Sequence, residues 1–304
     1  MIISMMDKSS GGFFSQLFFT MNHYLTAKAT GSQFILNTST WLFKYEKGWT
    51  DYFETFELKN INNDSRVFEA GHSIEFIKFP LEAYRNAVKE VYRYNERTIA
   101  LILRKKKELK LTEKEYDSIF IRRGDKLSWE SKYIPTEYYL KLLLERNPNC
   151  RSIFIQTDDY NCVLDLKKLI YERGLDIEVL TFCTEGQRGV VVFQHNGLEN
   201  AASDKTNMNN EYISRIIETL RATKPVNQMN PEEIFEHTLT MIVGIEFVLQ
   251  SNVCICDFQS NVSRFIKLAH PYPDNVIDVM DPTRKLDMTV EICPSYGFSE
   301  EERK

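Results

Sequence analysis

A chain of 304 residues with 43% hydrophobic and 27% charged residues is globular in composition and long enough for two domains of ordinary size. Its net charge of −5 lacks the basic footprint of a nucleic-acid binder, so nucleic acid is not an expected partner. There is no run of about 18 unbroken apolar residues and no secretory signal. The six cysteines show neither CxxC spacing nor zinc-type spacing. A soluble, cytoplasmic protein without a membrane segment is therefore expected, and a reducing compartment suits it.

Along the chain, Gly11-Gly12 precedes an apolar helical pattern over 13–30, and 32–39 reads as a short buried strand. An aromatic-rich stretch runs from Trp41 to Phe53, and Pro80 opens one long helical pattern over 80–108. Then a repeated pattern begins. Residues 117–121 (DSIFI), 151–155 (RSIFI) and 252–256 (NVCIC) are apolar runs that each end abruptly in polar residues. Helical patterns follow at 135–146, 160–173 and 260–269, with further helices at 210–222 and 231–250 and further strands at 177–182, 189–194 and 276–280. Strands alternating with helices predict parallel βαβ construction, with ligands beyond the carboxyl ends of the strands. The polar stretch 195–211 reads as a loop, and a domain boundary is placed near residue 110, dividing the chain into 1–110 and 111–304.

Three strand ends carry the candidate chemistry. Arg122 and Arg123 follow the first, and alternation along a strand turns only one of them toward a ligand. A guanidinium fork suits phosphate oxygens, although a salt bridge to a carboxylate is an equal alternative. Ser260 and Asn261 open a helix after the third strand, where free N–H groups attract anions or an ordinary cap forms. Lys126 and Glu130 follow the first strand end; Glu130 could act as a base for a hydroxyl, and a solvated ion pair is the plainer reading. Asp158-Asp159 is not Asp-x-Asp, so backbone hydrogen bonding, with Thr157 or Asp158 capping the next helix, is preferred to metal binding. Glu233 and His237, four apart on a helix, read as a surface pair. No P-loop and no GxGxxG fingerprint occurs.

Four stretches, in order along the chain, carry a family likeness. The segment IRRGDKLSWESKYIPTEYYL (121–140) resembles the β-phosphate and catalytic motif of the α1,6-fucosyltransferases, H-x-R-R-x-D-K followed by a Glu four residues on. FIQTDDYNCVLDLKKL (154–169) resembles that family's T-D-D strand end, and CDFQSNVSRF (256–265) its F-S-S-x-V-x-R motif. Residues 11–53 resemble its Gly-rich loop, helix, strand and W-x-Y-x-x-G-W segment. The resemblance implies an α/β fold of GT-B type, two Rossmann-like domains facing across a cleft, with 1–110 on the acceptor side and 111–304 binding the nucleotide sugar. It implies inverting, metal-independent glycosyl transfer to a glycan or glycoprotein hydroxyl, with the nucleotide sugar as substrate and no cofactor. By position, Arg122 would bind the β-phosphate, assisted by Ser260, Asn261 and the backbone at Gly11 and Gly12. Glu130 would be the base, supported by Lys126, while Asp125, Asp159 and Arg264 match motif positions of structural character.

The sequence departs from the family pattern where the base would be read. The leading His of the motif is Phe120 here, and an Asp sixteen residues before the motif Ser falls at Gly244. GDP-fucose is the first expectation for the donor. UDP-xylose or another UDP-sugar is the alternative, with Glu246 a possible substitute contact from the next turn; a binding protein without transfer is a third reading. The resemblance leads one to expect a minimal catalytic unit, without the anchor, stem and SH3-like domain of Golgi members.

Overall fold

The computed structural model describes residues 1–8, 11–58, 79–111, 115–125, 133–192 and 223–286, with the backbone of 68–70. Lys126, Glu130, the 195–211 loop and the helix expected over 210–222 lie outside these residues.

Two parallel sheets organise the chain. The first has the order β2-β1-β3, built from Ile2–Met5 (β1), Phe34–Asn37 (β2) and Phe68–Ala70 (β3). The central strand β1 was not anticipated: it is only four residues long, too short to show a period. Helix α1 (Phe13–Thr30) connects β1 to β2 and is buried almost all round, which explains its weak amphipathic signal. It starts at Gly12 and stops at Gly31, whose φ of 63° satisfies the last carbonyls through its own N–H and that of Ser32.

The expected single helix over 80–108 is two helices, α2 (Leu81–Val91) and α3 (Glu96–Glu108). The break follows from tertiary pairing. Residues 93–95 hydrogen-bond to the aromatic segment through Glu54 N to Arg93 O and Asn95 N to Tyr52 O, and Asn95 caps α3 by accepting from Thr98 N at 2.9 Å.

The second sheet has the order β6-β5-β4-β7-β8, all parallel, built from Asp117–Ile121 (β4), Ser152–Thr157 (β5), Glu178–Leu180 (β6), Cys254–Cys256 (β7) and Val276–Asp278 (β8). Its two faces divide by alternation. Ile119, Ile121, Ile153, Ile155, Ile255 and Ile277 pack in a cluster with α4 (Thr136–Arg146) and α5 (Tyr160–Glu172). Phe120, Phe154, Cys254 and Cys256 face the other way, toward α6 (Pro231–Leu249). Helix α7 (Asn261–Ala269) joins this second layer to the first sheet's helices, with Phe265 at 4.8 Å from Phe14 and 4.6 Å from Tyr92 between ring centroids. One aromatic core therefore runs through both halves. The strand expected over 189–194 does not form in its described part: 189–192 is an irregular segment, held by side chains and by backbone groups of turns and loops rather than by a neighbouring strand.

Candidate active site

Strand order places the site. From β4 the chain builds outward to β5 and β6, then returns to place β7 and β8 on the other side. The crevice beyond the carboxyl ends of β4 and β7 is thus a topological switch point, where α/β sheets hold ligands. In the first sheet the same reversal occurs at β1, flanked by β2 and β3, and the Gly-rich turn lies beyond its end. Gln16, from the first turns of α1, clamps this turn. Its carboxamide accepts from Asp7 N at 3.1 Å and donates to Asp7 O at 3.1 Å and Gly11 O at 2.9 Å. Gly11 sits at φ 99°, a conformation that favours glycine.

The two arginines after β4 separate as alternation requires. Arg123 turns to the α4–α5 face and is 4% exposed; it donates to Ile134 O at 2.7 Å and lies over the Tyr133 ring at 4.1 Å. Arg122 turns to the α6 face. One terminal nitrogen donates to Arg123 O at 2.8 Å and pairs with Asp158. The other donates to Asp125 Oδ1 at 2.8 Å and to Val190 O at 3.0 Å. Both readings of Arg122 meet here: it stands at the switch point, and it is ion-paired.

The acidic pair after β5 divides its work. Asp158 accepts from the backbone N–H of Arg123 at 2.7 Å and of Val190 at 2.9 Å. The helix cap is neither Thr157 nor Asp158 but Asp159, which accepts from Asn161 N at 3.0 Å, and burial raises the Asp159 pKa. After β7, Ser260 is 2% exposed and caps α7 by accepting from Val262 N at 3.3 Å. Asn261 accepts from Arg264, whose Nε donates to Phe258 O at 2.8 Å.

The two altered motif positions lie together on the α6 face of the sheet. Phe120 is buried in the core and stands opposite Gln156 in the β4–β5 register. Gly244 of α6 faces the same Gln156: a Cβ there would meet its Oε1 at 2.0 Å and its Nε2 at 2.8 Å. The space freed at Gly244 is filled by a neighbouring carboxamide, which the spacing of single motifs could not disclose. Glu246 is tied to Tyr94 at 2.9 Å and to Gln250, and burial raises its pKa.

His237, on the first half of α6, does not pair with Glu233. Glu233 closes a capping box with Asn230 and binds Lys224 at 2.6 Å. His237 instead lies near Arg122; burial, and then the charge of Arg122, push its pKa down to about 4. Among the described residues it makes no hydrogen bond, no group of three or more His, Cys, Asp or Glu is placed to hold a metal ion, and no helix is long and apolar enough to cross a membrane.

No family model and no curated protein sequence matches the chain. Solved structures do. A NodZ α-1,6-fucosyltransferase soaked with GDP-fucose is similar at TM-score 0.55 and 11% identity, over 93% of this chain and 96% of that one. The fucosyltransferase NodZ from Bradyrhizobium is similar at TM-score 0.55 and 12% identity over the same shares, and a NodZ crystal with GDP at 0.55 and 11% over 91% and 93%. Identities this low speak for the fold alone, and the fold is an α/β architecture of GT-B type.

Proposed function

We propose that the chain is a glycosyltransferase that moves a sugar, fucose from GDP-fucose in the first instance, to a glycan or glycoprotein hydroxyl. The observation that carries this reading is Arg122: a guanidinium at the switch point of the nucleotide-side sheet, within a fold shared over nearly the whole chain with sugar-nucleotide enzymes. Residues 1–110 would receive the acceptor and 111–304 the donor. Arg122, with the N–H groups at Gly11, Gly12, Ser260 and Asn261, would neutralise the diphosphate as the bond from the anomeric carbon to phosphate oxygen breaks. Glu130 would take the acceptor proton, supported by Lys126, so that the hydroxyl oxygen attacks and the anomeric centre inverts. Asp158 and Asp159 are committed to Arg122, to backbone N–H groups and to a helix cap. That commitment supports a transfer that runs without a metal at this pair.

A second donor reading has an observation behind it. Phe120 offers no polar atom, and the position of Gly244 is covered by Gln156. A carboxamide both donates and accepts, so it suits uracil as well as guanine. Titration of GDP, UDP, GDP-fucose and UDP-xylose by calorimetry decides between the donors. Preference for UDP keeps the mechanism and replaces the sugar nucleotide. Arg122→Ala should abolish transfer and nucleotide-diphosphate binding together; near-normal activity would overturn the phosphate assignment.

A further inference from the structure

Arg122 has five N–H donors, and four of them are occupied by the chain's own acceptors. One of those acceptors is the carbonyl of Val190. The segment 189–192 to which it belongs is neither helix nor strand, yet its backbone is gripped throughout. Gly189 N donates to Asp158 O at 2.7 Å, Val190 N to Asp158 Oδ2 at 2.9 Å and Val192 N to Asp125 Oδ2 at 2.9 Å. Asp125 N donates back to Val190 O at 3.1 Å, and Val191 O and Val192 O accept from Val226 N and Asn227 N. On its far side the segment reaches the Gly-rich turn: a Cβ on Gly12 would lie 4.0 Å from the Val192 Cγ2 methyl. The segment therefore touches Arg122 through Val190 O and approaches Gly12 through Val192, two groups that the proposed function assigns to the diphosphate.

We propose that residues 189–192 are a tethered plug, an internal competitor for the anion site, and that the protein rests in a self-blocked state. The inference builds on the reading of Arg122 as a phosphate ligand. An entering diphosphate would take over the Arg122 hydrogen bond from Val190 O, and the segment would swing out about its attachments. Asp125 and Asp158 suit this role. They hold the plug through charge-assisted bonds to backbone N–H groups, and they hold Arg122 in place when the plug is gone. The carbonyl of Val190 is a weaker partner for a guanidinium than a phosphate oxygen, and this difference offsets part of the cost of releasing the segment's other bonds.

The test uses inorganic pyrophosphate as the probe, with amide hydrogen exchange on the wild-type chain and a reversible cross-link. In the wild type, saturating pyrophosphate should raise the thermal midpoint and speed exchange at Gly189, Val190 and Val192. In the double variant Gly12→Cys/Val192→Cys, oxidation should pin the plug and weaken pyrophosphate binding by at least roughly tenfold against the same protein reduced. If pyrophosphate binds, is lost in Arg122→Ala, and leaves exchange at 189–192 unchanged, the plug is refuted while the anion site stands. If pyrophosphate binds equally to Arg122→Ala, or binds neither the wild type nor the reduced double variant, the phosphate reading falls and takes the plug with it.

Discussion

The turn after β4 and the turn after β7 stand next to each other at the switch point of one sheet, and they are held in opposite ways. The β7 turn is held mainly by its own residues. Asp257 accepts from Gln259 N, Ser260 from Val262 N, and Arg264 holds Phe258 O and Asn261, all within eight positions, while one longer bond runs from Phe258 N to Asp278 Oδ1 of β8 at 3.4 Å. The β4 turn is held from afar. Arg122 and Arg123 bond to Asp158 of the next strand end and, through Val190, to a segment 68 positions away. A turn held mainly by its own residues depends chiefly on local geometry. A turn built from three distant segments is a junction, and its loss should spread to all of them.

The sharpest way to break this contrast is Asp158→Ala. The carboxylate is about nine-tenths buried and serves Arg122 together with two backbone N–H groups. Removing one partner of such a cluster should cost about 3–5 kcal/mol. Denaturant unfolding measures it, and a loss no greater than that of a single cap would make the two turns equivalent. Next comes Gly124→Ala. Gly124 sits at φ 62°, and a Cβ there would lie 2.2 Å from Val190 O and 2.6 Å from Val190 N, both backbone atoms. The left-handed conformation alone costs about 1–2 kcal/mol, and the forced displacement of the 190 backbone adds to it, for about 3 kcal/mol in all. Equal stability of wild type and variant would show that segment 189–192 does not press on the turn.

Proton titration sharpens the same contrast from a third side. His237 has its pKa pushed down to about 4, by burial first and by Arg122 second. His23, in the first half of the chain, is also pushed down to about 4, by burial alone, with its Nδ1 3.0 Å from Ser4 Oγ. For both, the folded pKa lies below the unfolded value of 6.5, so the stability each contributes is complete above pH 6.5. It is lost as pH falls toward 4, by up to about 3 kcal/mol per histidine. His237→Gln should flatten that acid limb. In Arg122→Ala the His237 resonance should titrate at higher pH while that of His23 stays fixed. A His237 pKa indifferent to Arg122 would separate the histidine from the junction.

How much of this was legible follows the same division. The alternation of DSIFI, RSIFI and NVCIC, with the helices between them, was enough to expect parallel strands and polar strand ends, because each of those features is local. The opposed directions of Arg122 and Arg123 followed from strand period alone. Strand β1 was too short to register, and the break between α2 and α3 was written in the pairing of 93–95 with 52–54 rather than in any breaker residue. The stretch 189–194 looked like a strand by composition, yet the partners of its described part, 189–192, are the side chains of Arg122, Asp125 and Asp158 and the backbone of Asp125, Asp158, Val226 and Asn227. Gln16 interrupts the apolar stretch of the first helix and Gln156 follows the RSIFI run as its polar end; one clamps the Gly-rich turn and the other fills the space over Gly244. For the break between the helices, the 189–192 segment and Gln156, the deciding partner is distant in sequence; for β1 the cause is length, and for Gln16 it is a turn whose shape the sequence does not show.

The smallest expected effect is at Ser260, and it tests the more local half of the comparison. Ser260 is buried, and its hydroxyl caps α7 by accepting from Val262 N at 3.3 Å. Ser260→Ala removes one local hydrogen bond and should cost about 1 kcal/mol, the usual value of a cap. Because Phe258, Asn261 and Arg264 hold the turn without it, the amides around 122–125 and 189–192 should keep their exchange rates in this variant. If they quicken instead, the two turns communicate across the switch point, and the β7 turn belongs to the same junction as Arg122.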